Sequence, residues 1–223
     1  LQPAPDSFNL THHLFTRAVL ADSGYYVFRA FDPFDTHTRD QVLLKALPGK
    51  GITAIDSTNI PRLHDAGIAT DGMLHYDTLN KLLLYVSYYS NKVYLWNHQL
   101  QLIKSARTID TLSTQPYFTG EKIESVNHST LTNIKPKRVI NAESNVAGGI
   151  LYVLSRIKAD NETNGGFNDN TVVDCYQLHH FKYISSFYIP NYKGEKIWSI
   201  GIAGNSLLAI YRNSIVQYAL PTL

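Results

Sequence analysis

The chain is 223 residues long, 44% hydrophobic and 17% charged, with a formal net charge of +2. This composition excludes an intrinsically disordered chain, which lacks the apolar surface to offset its ordering entropy. It gives no electrostatic case for nucleic acid, which takes clustered Lys and Arg. A single cysteine, Cys175, excludes an internal disulfide, and apolar stretches such as Leu82–Val86 are far too short to span a bilayer.

Fifteen Tyr, nine Phe and two Trp favour strands, because aromatic side chains fit a pleated, half-buried surface. The opening Leu1-Gln2-Pro3-Ala4-Pro5 reads as a tail or linker; it fits either a removed export signal or a start inside a longer protein. Thr16–Ala21 and Tyr25–Phe31 are short strand-like runs joined at Ser23-Gly24, a hairpin signal. Gln41–Leu47 is a third run, ended by Pro48-Gly49, and the segment from Gly51 to Thr70 reads mostly as loop, with Pro61 against a central strand. From Gly72 a rhythm sets in: Met73–Tyr76, Leu82–Tyr88, Lys92–Asn97 and Leu102–Thr108 make four strands in about forty residues. It returns at Arg138–Asn141, Gly149–Arg156, Thr171–Leu178 and Tyr183–Ile189, and again at Lys196–Ile202, Ser206–Tyr211 and Ser214–Leu220.

A four-stranded meander repeating at this length is the pattern of a propeller blade, a unit that cannot bury both sheet faces without neighbours. A plain β-sandwich also has many short strands, and the repeat favours the propeller over it. The expected fold is an all-β propeller of four-stranded antiparallel blades in one domain over 1–223, with copies near 16–47, 72–111, 138–190 and 196–221. The last copy lacks a fourth strand. Either Phe8–Phe15 supplies it by pairing with Ser214–Leu220 and closes a ring, or other polypeptide covers the open end; the second is the expectation.

The C-terminal two thirds resembles the six-bladed, TolB-like β-propeller proteins of bacterial envelopes. The likeness rests on Thr70-Asp71-Gly72-Met73-Leu74-His75-Tyr76-Asp77, on Leu83–Tyr89, on Ser186–Gly194, and on Leu207–Tyr211 through Ile215–Tyr218. It implies an exported protein of the periplasm or outer-membrane surface, with or without a lipid anchor. Six blades need more chain than this, so it also implies the C-terminal blades of a larger ring. The group carries no accepted reaction.

No motif of catalysis stands out: Gly-x-Ser-x-Gly, His-Glu-x-x-His and phosphate-cradling glycine loops are absent. His12-His13 and His179-His180 are adjacent pairs, and neighbours on a strand point to opposite faces, so neither pair chelates as a unit while extended. Cys175 in an apolar strand reads as a small core hydrophobe. Asp160–Asn170 is rich in oxygen ligands but reads as a solvated hairpin loop, since its spacing is not that of an EF-hand. Asn9, Asn127 and Asn161 head glycosylation sequons, and Lys135-Pro136-Lys137-Arg138 reads as a solvated basic loop.

The expected function is a non-enzymatic binding or scaffold module of the bacterial envelope, recognising a protein or peptide through loops at one propeller end. Candidate binding residues are Asp71, His75, Asp110, Tyr117 and Phe118, the two aromatics because exposed rings anchor interfaces. No metal or cofactor is expected, and the partner is an envelope or outer-membrane protein. The alternative is a hydrolase or lyase acting on a carbohydrate or peptide, with Asp71, Asp77 and Asp110 at the channel mouth.

Overall fold

The structure is a computed structural model that describes residues 7–35, 37–113 and 138–221, and the backbone of 119–125 and 128–133. It is all-β, with three four-stranded sheets, one three-stranded sheet and a two-stranded hairpin, every pairing antiparallel. The first sheet is β1 (Phe15–Leu20), β2 (Tyr26–Phe31), β3 (Gln41–Leu47) and β4 (Gly51–Asp56). The second is β5 (Gly72–Asp77), β6 (Leu82–Ser87), β7 (Lys92–Trp96) and β8 (Leu102–Arg107). A hairpin, β9 (Thr119–Ser125) and β10 (His128–Asn133), leads to the third sheet: β11 (Asn141–Ala147), β12 (Ile150–Ser155), β13 (Asn170–Gln177) and β14 (Lys182–Pro190). The last sheet is β15 (Ser199–Ala203), β16 (Ser206–Ile210) and β17 (Ile215–Ala219). One short helix, α1 (Asn164–Asp169), interrupts the β12–β13 connection, and no helix among the described residues is long and apolar enough to cross a membrane.

Each sheet is a plain meander, with strands adjacent in chain order. The first strands adjoin one another, β1 against β5, β5 against β11 and β11 against β15, so the sheets stack face to face around an inner wall. Strand composition follows depth. β6 and β12 are buried at nearly every position, whereas the outermost strands β8 and β14 are largely exposed. A strand covered on both faces reads as a continuous apolar run, and one covered on a single face alternates.

Three apolar seams hold the stack. Val27 and Leu43 of the first sheet meet Leu74, Tyr85 and Trp96 of the second. Leu84, Val86 and Val93 meet Leu151, Val153 and Tyr176 of the third. Tyr152, Leu154 and Cys175 meet Ile200, Leu207 and Tyr211 of the last. A fully buried Leu or Val side chain is stabilising by about 1.5–3 kcal/mol.

Local turn chemistry sets the register. Gly148 and Gly149 both have positive φ (+58° and +77°) and form the two-residue link that pairs Ala147 with Ile150. At one end of β5, Asp77 accepts the backbone N–H groups of Leu79 and Asn80; at the end of β4, Asp56 accepts those of Thr58 and Asn59 and also the indole N–H of Trp96 at 2.6 Å.

One expectation needs correcting. The stretch after Gly51 opens with a strand, β4, because Gly-Ile-Thr-Ala-Ile-Asp alternates well enough to form an outer strand before Pro61. The segment after β8 contains the β9–β10 hairpin. Phe8–Phe15 does not pair with the last sheet. Phe31 N–H donates to Leu14 O at 2.8 Å, and the ring of Phe8 packs on Tyr26 and Phe28, so this segment covers the outer face of the first sheet together with Leu10. β17 pairs with β16 alone, and among the described residues no ladder joins the last sheet to the first.

Gly72 shows how closely the sheets are fitted. A Cβ there would lie 2.3 Å from the carbonyl oxygen of Val86 and 2.9 Å from Cζ of Tyr85. We predict that Gly72→Ala destabilises the fold by about 1–3 kcal/mol, the usual cost of overpacking. Gly165→Ala, where nothing lies within 4 Å, is expected to be neutral. Urea unfolding midpoints check both, and equal midpoints for the two variants would contradict the fit described.

Candidate functional site

In each sheet the first and third strands begin, and the second and fourth end, at one common end of the stack. The side chains there come from the connections before β5, β11 and β15 and after β6, β8, β12 and β16. Between the second and third sheets this end opens into a cleft of about 500 Å³. Asp110 and Thr111 after β8 form one wall; Ser155, Lys158 and Glu162 after β12 form another; Asp174, Tyr183, Ser186 and Tyr188 of β13 and β14 form the floor.

Asp174 is the unusual member. It lies on the third-sheet face that meets the second sheet, opposite Val153 and one pair removed from Leu151–Tyr176. In the second sheet the matching position, opposite Tyr85, is Tyr94. A side chain that fills its seam with a ring is thus replaced by a short carboxylate that is only 4% exposed, and the missing volume is part of the cleft.

The partners of Asp174 do not neutralise it. The hydroxyl of Ser186 donates to Oδ1, and that hydroxyl also bonds the phenol of Tyr183 at 2.8 Å. Burial pushes the carboxyl up to about 6, the Ser186 hydrogen bond opposes this, and the Asp110 and Glu162 carboxylates raise it further. Asp110 is also raised by burial, against the pull of Arg138 and a hydrogen bond from Ser155. Glu162 holds its own loop, accepting Ala159 N–H at 2.6 Å and the hydroxyl of Tyr188 at 2.7 Å. Lys158 turns its ammonium to the carbonyl of Glu162 at 2.9 Å. The cleft therefore gathers four carboxylates, Asp110, Asp160, Glu162 and Asp174, and five hydroxyls, with Lys158 the one cation among its lining residues.

The residues singled out from the sequence fall in different places. Asp71 is the counter-ion of Arg29, whose guanidinium is 1% exposed; Nη1 donates to Oδ1 at 2.6 Å, Nη2 to Gly67 O at 2.9 Å, and the group lies over the ring of Tyr85. Arg17 approaches the other oxygen at 3.5 Å. Asp77 sits at the opposite end of β5 from Asp71, occupied by its own turn, so the trio Asp71, Asp77 and Asp110 does not converge. His75 points at the inner wall, where Nε2 meets the hydroxyl of Ser144 on β11 at 2.7 Å. Burial lowers its pKa to about 4, so it is neutral near pH 7. Only Asp110 belongs to the cleft. Tyr117 and Phe118 lie outside the described residues.

Several polar groups have structural uses. His179 and His180 lie on the β13–β14 turn with rings 4.3 Å apart, both exposed. In the Asp160–Asn170 loop, Thr163 caps α1 by accepting Gly166 N–H at 3.0 Å. No group of three or more His, Cys, Asp or Glu among the described residues is arranged to hold a metal ion. Cys175 is sealed in the seam between the third and last sheets, its thiol pushed up to about 12 by burial and the charge of Asp174.

Sequence reasoning missed Asp174, Ser186, Tyr183 and Tyr188. The signal was a lone carboxylate inside an apolar strand, Val172-Val173-Asp174-Cys175-Tyr176, a residue type rarely buried unless paired.

No family model matches the chain, and no curated protein matches it. Among solved structures it is similar to a protein of unknown function from Bacteroides caccae, at 11% identity and a TM-score of 0.32 over 80% of this chain and 68% of that one. It is also similar to Hsv2 of Kluyveromyces lactis, at 9% identity and a TM-score of 0.27 over 94% of this chain and 75% of the other. At such TM-scores neither likeness carries an argument about fold or function.

Asp174 and His75 give stability opposite dependences on pH. The folded-state pKa of Asp174 lies above its ordinary value of 3.8, so its burial costs nothing below about pH 4 and its full amount, on the order of 3 kcal/mol, above about pH 6. The folded-state pKa of His75 lies below 6.5, so its contribution is complete above about pH 6.5 and is lost as pH falls towards 4. We predict that Asp174→Asn is more stable than the parent at pH 7.5 but not at pH 4, and that its stability climbs more steeply between those limits. Urea titrations across this range check it; a constant offset at every pH would refute the assignment.

Proposed function

We propose that the chain is a binding module, a run of propeller blades, that takes a cationic group of a peptide or protein partner in the cleft between its second and third sheets. One observation carries this reading. Asp174 is a buried carboxylate with no cation within ion-pair range among the described residues, at the floor of an open cleft where Asp110 and Glu162 add further negative charge. A buried charge is stable only when paired, and a lysine ammonium or arginine guanidinium from outside would complement Asp174. Tyr183, Ser186 and Tyr188 offer oxygens to the remaining N–H donors. The envelope location implied by the sequence resemblance belongs to the same proposal, and cell fractionation tests it separately.

Binding should need the ionised carboxylate. Calorimetry with arginine- and lysine-bearing peptides is expected to give affinity at pH 7.5 that falls about tenfold or more at pH 5, where Asp174 is protonated. Asp174→Asn should abolish that pH step. Absence of binding by any cationic peptide at pH 7.5, or binding indifferent to Asp174→Asn, would overturn the proposal.

One observation favours a hydrolase or lyase as a second reading: two carboxyls of raised pKa, Asp174 and Asp110, face one open cleft, the pattern of an acid and its partner base. Turnover of a glycan or peptide that declines above pH 6 and vanishes in Asp174→Asn would select it over binding alone.

A further inference from the structure

On the other face of the third sheet, at the same end of the stack, lies a shallow depression of about 470 Å³ lined by Arg156, Glu195, Lys196, Ile197, Trp198 and Arg212. It shares no lining residue with the acidic cleft. Trp198 leads into β15 and is tethered by its N–H to Ile210 O at 2.8 Å, yet its side chain leaves the residue 72% exposed. A large aromatic surface held in water by a fixed backbone is the kind of feature that marks a contact site.

The charge around it is lopsided. Arg156 follows β12, is half-buried, and spends one N–H on Ile197 O at 3.2 Å. Lys196 reaches the carbonyl of Phe167 at 3.3 Å and lies over its ring. Arg212 is exposed on the β16–β17 turn. Three cations face a single acid, Glu195, and among the described residues none of the three has a carboxylate within ion-pair range.

We propose that this depression binds an acidic carbohydrate, a pyranose chain bearing carboxylates. Trp198 stacks on the flat C–H face of a ring while Arg156 and Arg212 pair with carboxylates on either side. Guanidinium groups match carboxylates in a two-point fork, which a lysine does not. The shape favours a sugar over an acidic peptide. Ile197, the other apolar member, is only 1% exposed, so the site offers a platform to lie on and no apolar pocket for a side chain to enter.

The chain carries its own reporter. It has two Trp; Trp96 is fully buried and Trp198 is 72% exposed, so a ligand-induced change in tryptophan emission comes from Trp198. The full chain is titrated with short oligogalacturonate, with its methyl ester, and with polyglutamate. The expected result is a saturable emission change with oligogalacturonate that weakens as salt is added and is lost on esterification. Arg212→Glu, an exposed turn substitution, should weaken binding about tenfold or more. Trp198→Ala, followed by calorimetry, should do the same. No response to oligogalacturonate, equal binding of the ester, or equal binding of polyglutamate would each overturn the proposal, the last in favour of an acidic peptide. Asp174→Asn leaves this site untouched, so failure here is separable from failure of the cationic-ligand reading.

Discussion

The structure depends on one constraint: sheets that are apolar on both faces have to be covered on both. β6 and β12 are buried along nearly their whole length, and such strands leave no side for water. The chain meets this by stacking its sheets in sequence order, first strands inside, so that every seam joins consecutive parts of the sequence. On the outer face of the first sheet the cover among the described residues is Phe8 and Leu10, which fold back over it. The last sheet carries Leu208, Ile210 and Ile215 on its far side, mixed with Ser199, Gly201 and Gln217, which makes that face less apolar than the seams.

Against this background two of the buried charges, Arg29 and Asp174, are handled in contrasting ways. Arg29 is supplied with everything a guanidinium asks for: a carboxylate, a carbonyl and an aromatic face. Its neighbours Gly67 and Gly72 leave the space it and Tyr85 need. Asp174 receives one hydroxyl and two repelling acids. The first arrangement completes a seam; the second leaves one open. The fold thus satisfies Arg29 thoroughly and leaves Asp174 poorly balanced beside an open cleft.

Much of the architecture was legible from residue patterning. The second and third sheets were visible because Leu-Leu-Leu-Tyr-Val-Ser and Ile-Leu-Tyr-Val-Leu-Ser are runs that only a doubly covered strand explains. The outer strands were harder. β4 contains glycine, threonine and aspartate and is half exposed, so its composition is that of a loop. The place of Phe8–Phe15 was left between alternatives because an apolar segment fits any uncovered face, and sequence does not say which. The site was least legible. Asp71 drew attention as an acid at a strand start, but its role is set by Arg29, forty-two positions earlier. Asp174 was passed over because its neighbours are apolar, and only the register that sets it against Val153 and beside the second sheet gives it meaning.

The sealed thiol of Cys175 makes the last seam measurable. A thiol with so high a pKa in an apolar joint neither reacts nor forms its thiolate while the joint is closed. The three-stranded sheet is held to the rest of the stack chiefly through this joint. Alkylation under native conditions therefore reports how often that sheet lifts away, as a local opening equilibrium distinct from unfolding of the whole chain. With one cysteine in the sequence, each labelling event reads a single hinge.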